Sequence, residues 1–180
     1  MAPVPADAMS DLQREVAAKI ASGPRGVVRG PVQMWLHSPA FARLAQGLGA
    51  HCRFGTVLPA RLSELAILVT GAHWRSGYEW LGHAPLALEA GLSAGVIEAI
   101  RVGASPAFDH ADEAAVHAFA SELWRTGQVG DAAFGAAAAL FGAQGVVDLL
   151  GILGYYGMIS MTINAFGIEG TEGIPDPFAA

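Results

Sequence analysis

Glu64–His83 reads ELAILVTGAHWRSGYEWLGH, and this stretch decides how the rest of the chain is understood. Its first half, with the preceding ARLS, is a helical pattern. Placed on a helix, Glu64 shares its face with Ala60, Ile67, Leu68 and Gly71. That face is apolar, so the carboxylate is expected to be buried. A buried carboxylate either finds a hydrogen-bonding or cationic partner or is driven to its neutral form, and both outcomes are useful in an active site. Further on, Glu79 and His83 stand four apart, on one face of a second helix, with Ser76 one turn earlier. An antiparallel hairpin of the two helices would bring Glu64 to the Ser76–Glu79–His83 stripe. Taken alone, the spacing leaves a second reading open: a Glu–His pair at i,i+4 is also a common solvated surface interaction.

Working outward, helix signals dominate and no sustained alternation of β-branched and polar residues occurs. Ser10 or Asp11 can cap a helix to about Ala21, broken by SGPRG. Gly30-Pro31 opens a short segment through Trp35, and Ser38-Pro39 starts a helix to about Phe54. Pro59 begins the Glu64 helix, and a further helix covers roughly 76–90, ending at Gly91. Ser93 caps a helix through Arg101. The acidic DHADE introduces another that ends near Thr126-Gly127. From Asp131 an Ala- and Gly-rich helical region leads into an apolar run. The tail EGTEGIPDPFAA reads as irregular. Pro85 removes the hydrogen bond to the Leu81 carbonyl, so a bend is expected just after His83. The organisation is all-α, one domain over 1–180, with an N-terminal helical arm (1–30) and an irregular tail (169–180).

The 180 residues are 53% hydrophobic and only 14% charged, against about a quarter charged in an ordinary soluble domain. Either a membrane or copies of the chain itself would then cover much of the surface. The run Leu149–Ile168 has the length of a membrane span but contains glycines and hydroxyl residues and lacks flanking Lys or Arg. A buried helix packed through Gly151, Gly154 and Gly157 is the better reading, with no membrane partner. The net charge of −6 and scattered basic residues argue against a nucleic-acid partner. The one cysteine, Cys52, excludes an internal disulfide and fits a cytoplasmic location.

RLSELAILVTGAHWRSGYEWLGHAPLALEAGLS resembles the core motif of the carboxymuconolactone decarboxylase / alkyl hydroperoxidase D superfamily. The peroxidase branch places a Glu, eleven residues, Cys-x-x-Cys, three residues and a His. Glu64 and His83 match this pattern, whereas Ser76 and Glu79 occupy the two cysteine positions. Tyr78, Glu79, Trp80, His83, Ala87, Ala90 and Gly91 resemble the decarboxylase-like branch. The resemblance implies an alkyl hydroperoxidase D-like helical bundle, assembled as a trimer or hexamer, acting on a small molecule. It also implies a cofactor-independent lyase that handles carboxylated lactones or compounds derived from aromatic rings. Without the cysteine pair, dithiol peroxide reduction is expected to be absent unless Cys52 reaches the site. The other alternative is a non-catalytic oligomeric protein that binds small molecules.

What remains at the motif is proton chemistry with no cofactor and no metal. Glu79 or His83 would be the acid, with Glu64 orienting the imidazole. An isomerase or hydrolase on a similar enol or lactone would use the same set. Arg75 reads either as a ligand for a substrate carboxylate or as a surface residue. Ser76, Tyr78 and Trp80 are candidate pocket walls, and His73 lies near the motif's turn. His110 and His117, with Glu113 between them, lack a third metal-ligand partner and read as structural. His51 beside Cys52 cannot pair with it on a helix, where neighbours point about 100° apart.

Overall fold

The computed structural model describes residues 1–23, 26–170 and 173–179. Regular structure among them is entirely helical, with no strand. After a single 3-10 turn at Ala6–Ala8 come α1 (Asp11–Ser22), α2 (Pro31–Trp35), α3 (Pro39–Phe54) and α4 (Ala60–His73). They are followed by α5 (Gly77–Glu89), α6 (Ala94–Arg101), α7 (Ala111–Thr126) and α8 (Asp131–Phe166). Two residues of the SGPRG break, Pro24 and Arg25, and Thr171, Glu172 and Ala180 of the tail lie outside the described residues.

The helix starts follow local chemistry. Ser10 forms a capping box on α1: its hydroxyl accepts from the Gln13 amide, and the Gln13 side chain accepts from the Ser10 amide at 2.8 Å. Ser93 caps α6 by accepting from the Val96 amide. Pro31 and Pro39 occupy first-turn positions, where no intrahelical donor is needed.

α4 is the central helix, buried continuously from Leu62 to Gly71 and packed against α5, α6, α7 and α8. A helix apolar on all sides has no solvent face to use, which explains the sequence pattern. Arg61 ties its start to α7 through Asp112, at 2.8 Å, and Glu113. At its other end Thr70 accepts from the Trp124 indole at 3.2 Å.

α8 is the apolar run, extended at its N-terminal side and broken in direction at Gly142 (φ 65°, ψ −178°). By length and composition alone it could cross a membrane. In the fold it lies along α3, α4 and α7. Of its three spaced glycines only Gly157 makes a close approach: a Cβ there would sit 2.7 Å from the Trp124 ring, whereas Gly154 faces open space. Apolar side chains remain exposed on two neighbouring helices, including Phe41, Leu44 and Leu48 on α3 and Val147, Leu150 and Met161 on α8.

α5 continues past Pro85 to Glu89, so the proline does not end the helix. The tail is irregular but anchored. Phe178 is buried against Trp80, ring centroids 5.3 Å apart, and the Pro177 carbonyl accepts from Arg101 at 2.9 Å.

Candidate active site

The turn between α4 and α5 fixes the register of the site. The Ser76 amide donates to the Gly71 carbonyl at 2.8 Å and the Arg75 amide to the Ala72 carbonyl at 3.1 Å. These two bonds are a Schellman closure with Arg75 in the left-handed position (φ 48°) that glycine usually fills. The Arg75 side chain compensates by donating to the Phe178 carbonyl and lying over its ring. The reversal runs α5 back along α4, bringing residues 19 apart in sequence into contact.

His83 Nδ1 lies 2.6 Å from Glu64 Oε2, and His83 Nε2 lies 3.3 Å from Glu79 Oε2. The imidazole therefore bridges the two helices' carboxylates. All three side chains are buried, with 8% of Glu64, 7% of Glu79 and 7% of His83 exposed. Burial alone would lower the imidazole pKa. Hydrogen bonding to Glu64 and Glu79, together with their charges, outweighs it and raises His83 from 6.5 to about 9. His83 is thus an imidazolium at neutral pH. The shorter contact at Nδ1 holds the ring in place, and the longer one at Nε2 leaves that proton the more transferable.

Glu79 and His83 open onto a cavity of about 100 Å³, and Glu64 stands behind them, outside its lining. Tyr78 and Gly82 of α5, Arg53 of α3, and Tyr155, Tyr156 and Ile159 of α8 complete most of the wall. Val27, Arg29 and Pro31, from the connection into α2, close the rest. The Tyr156 ring meets His83 edge-on with centroids 5.1 Å apart. Burial, reinforced by the Glu79 charge, pushes the Tyr156 phenol well above its ordinary range, so it stays a neutral O–H. Gly30 is required beside this wall: a Cβ there would overlap the Tyr78 hydroxyl.

The structure therefore brings Glu64, Glu79 and His83 together and sets Tyr78 at the cavity. Ser76, Trp80, Arg75 and His73 are placed elsewhere. Ser76 is fully buried, and its hydroxyl has no hydrogen-bond partner among the described residues. Trp80 packs on Phe178, Arg75 holds the tail, and His73 stacks on Trp124 at 5.1 Å. Cys52 is buried outside the cavity lining, its thiol pushed up to about 11 by burial and by Asp148.

Arg29, Arg53, Tyr155 and Tyr156 escaped sequence reasoning. The paired tyrosines inside an otherwise apolar run were the one available signal. Nothing local marks either arginine. The donors do not converge as metal ligands would, because His83 turns its two nitrogens to two different carboxylates. Among the described residues no group of three or more His, Cys, Asp or Glu is arranged to hold a metal ion.

Residues 39–121 match the carboxymuconolactone decarboxylase family. The matched stretch runs from the start of α3 into α7 and contains Arg53, Glu64, Glu79 and His83. Arg29 and the α8 tyrosines, which complete the cavity, lie outside it. No curated protein and no solved structure matches the chain.

Proposed function

We propose that this protein is a cofactor-independent acid–base enzyme of the decarboxylase type, acting on a small carboxylated lactone or a compound derived from an aromatic ring. The observation that carries this reading is the buried Glu64–His83–Glu79 chain opening onto a cavity whose lining also includes Arg29 and Arg53. The family match supports the same reading.

The substrate carboxylate binds the arginine side, where guanidinium groups pair well with planar oxyanions. As the C–CO2 bond breaks, its electron pair moves into the conjugated lactone carbonyl, giving an enolate. The neutral Tyr156 hydroxyl and the arginines stabilise that charge in a water-poor site. The proton at His83 Nε2, shared with Glu79, then goes to carbon, and solvent restores it after product leaves. Glu64 keeps the ring oriented and is a positioning residue. The cavity of about 100 Å³ takes only part of such a substrate, so the remainder lies toward the Arg29 side.

Assembly into a trimer or hexamer belongs to the same proposal. It is supported by the exposed apolar residues of α3 and α8, which a second copy would cover. A thiol peroxidase has less in its favour, since Cys52 holds its proton and lies away from the cavity.

The test is incubation with unsaturated lactone acids while CO2 release is followed. Turnover that disappears in Glu79→Ala and His83→Ala, with unchanged oligomer size, supports the proposal. Saturable binding without turnover would mean a binding protein instead. Loss of turnover in Cys52→Ser but not in those variants would place the chemistry elsewhere.

A further inference from the structure

A second concavity lies between the C-terminal half of α4, the connection from α6 to α7, the outer face of α7 and the tail. Its volume, about 620 Å³, is several times that of the cavity at His83 and falls in the range of small-molecule sites. We propose that this groove binds a small amphipathic anion, namely an aromatic carboxylate, independently of the chemistry at His83.

The charge distribution is the first argument. The chain carries 16 acidic and 10 basic residues, yet Arg75, Arg101 and Arg125 line this one groove and, among the described residues, no carboxylate side chain does. Their charges are not equally spent. Arg101 is neutralised by both oxygens of Glu98, at 2.7 and 2.8 Å. Arg75 is bound to an uncharged acceptor, the Phe178 carbonyl, and, among the described residues, makes no ion pair. Arg125 is exposed and, among the described residues, makes no ion pair. Two unneutralised guanidiniums thus border one opening in an acidic protein, which favours an anion there.

The second argument is the shape and chemistry of the walls. His117, Ser121, Trp124 and Arg125 fall at i, i+4, i+7 and i+8 on α7, a single stripe that faces the groove. The Trp124 indole is held rigidly: its N–H donates to Thr70, Gly157 packs against its far edge, and His73 stacks on it with planes 17° apart. The floor beyond it is apolar, from Val69, Ile100 and Phe178. Burial lowers the pKa of both His73 and His117, so at neutral pH they offer hydrogen bonds without adding charge. An aromatic body against the indole wall and a carboxylate at the guanidinium rim satisfy both features together. Inorganic phosphate satisfies only the second.

The experiment uses the full chain and 2-naphthoate as probe, with binding followed by calorimetry and tryptophan fluorescence. Arg125 is exposed and unpaired, so Arg125→Glu leaves the fold intact, as circular dichroism checks. Saturable one-site binding is expected, weakened at least tenfold by Arg125→Glu and by raised salt. It is expected to be retained in Arg53→Ala and not to be displaced by equimolar phosphate. Three results would overturn the proposal. One is the absence of saturable binding at millimolar probe, including the case in which a second copy covers the groove and Arg125→Glu changes the oligomer. Another is binding lost in Arg53→Ala but unaffected by Arg125→Glu, which would place the probe at His83. The third is displacement by phosphate as effective as by unlabelled naphthoate, which would make the site one for simple oxyanions.

Discussion

The raised pKa of His83 can be measured without knowing the substrate. An exposed imidazole of pKa 6.5 is about 9% protonated at pH 7.5, whereas one of about 9 is about 97% protonated. The site therefore differs from a solvated Glu–His pair by a factor of about ten in available acid at neutral pH. The same shift is a stability statement. The folded-state value lies above the unfolded one, so the favourable contribution is complete below pH 6.5. It is lost progressively as pH rises through 9. The interval between the two values corresponds to about 3 kcal/mol.

Two assays follow. Imidazole nitrogen-15 resonances of the six histidines, with His83 assigned by its loss in His83→Gln, should show one ring titrating near pH 9. Urea unfolding at pH 6 and pH 10, taken as the difference between wild type and His83→Gln, should reveal that the wild type alone loses roughly 3 kcal/mol across the interval. The variant serves to subtract the contribution of every other group that titrates between the two pH values. Glu64→Gln removes the partner at 2.6 Å and should lower the midpoint by about one to two pH units while leaving the helices in place. A wild-type His83 midpoint at or below 6.5 would refute the reasoning, because the two carboxylates would then not compensate for burial.

Other expectations are simpler. Decarboxylase turnover should fall on the alkaline side with the His83 midpoint, and Arg53→Ala should raise KM at least tenfold with a smaller effect on kcat, as steady-state kinetics would register. Phe178→Ala should cost about 3 kcal/mol in urea unfolding, since the ring is buried against Trp80 and only a short tail can relax into the space. Gly49→Ala should destabilise by about 1–3 kcal/mol, because a Cβ there overlaps the Tyr155 hydroxyl in a packed core. Leu44→Glu with Leu48→Glu should reduce the mass measured by light scattering, since both residues are exposed apolar side chains of α3.

Much of the fold was legible because its signals are local. Ser10, Ser93 and the prolines at 31 and 39 mark helix starts by satisfying or removing orphan donors, and the apolar face that Glu64 shares with Ala60, Ile67, Leu68 and Gly71 predicts that its carboxylate is buried. Glu64, Glu79 and His83 were legible for a related reason: their spacing needs only one reversal to become a contact. The remaining cavity residues were not legible. Arg53 lies at the end of a helix and Arg29 precedes one, both ordinary places for a surface cation, and only the packing of separate segments brings them to the cavity that Glu79 and His83 line. Arg75 was open to two readings, a ligand for substrate or a surface residue. It is exposed, and from the left-handed turn its side chain donates to the Phe178 carbonyl of the tail.

The arrangement also accounts for why a buried acidic cluster can be kept at all. Counted by formal charge, Glu64, Glu79 and an imidazolium leave one excess negative charge, which would be costly in an apolar interior. Arg29 and Arg53 across the cavity reverse that sign, leaving one excess positive charge in the empty site. In the proposed reaction a monoanionic substrate completes neutrality, and the site regains its starting charge once CO2 and product depart and solvent returns a proton to His83. On this account each carboxylate has a separate task. Glu64 cannot be replaced by a neutral residue without freeing the imidazole, and Glu79 cannot be replaced without losing the proton's route to carbon. The two substitutions should therefore separate in the pH profile: Glu64→Gln moves the alkaline limb, whereas Glu79→Gln lowers the plateau.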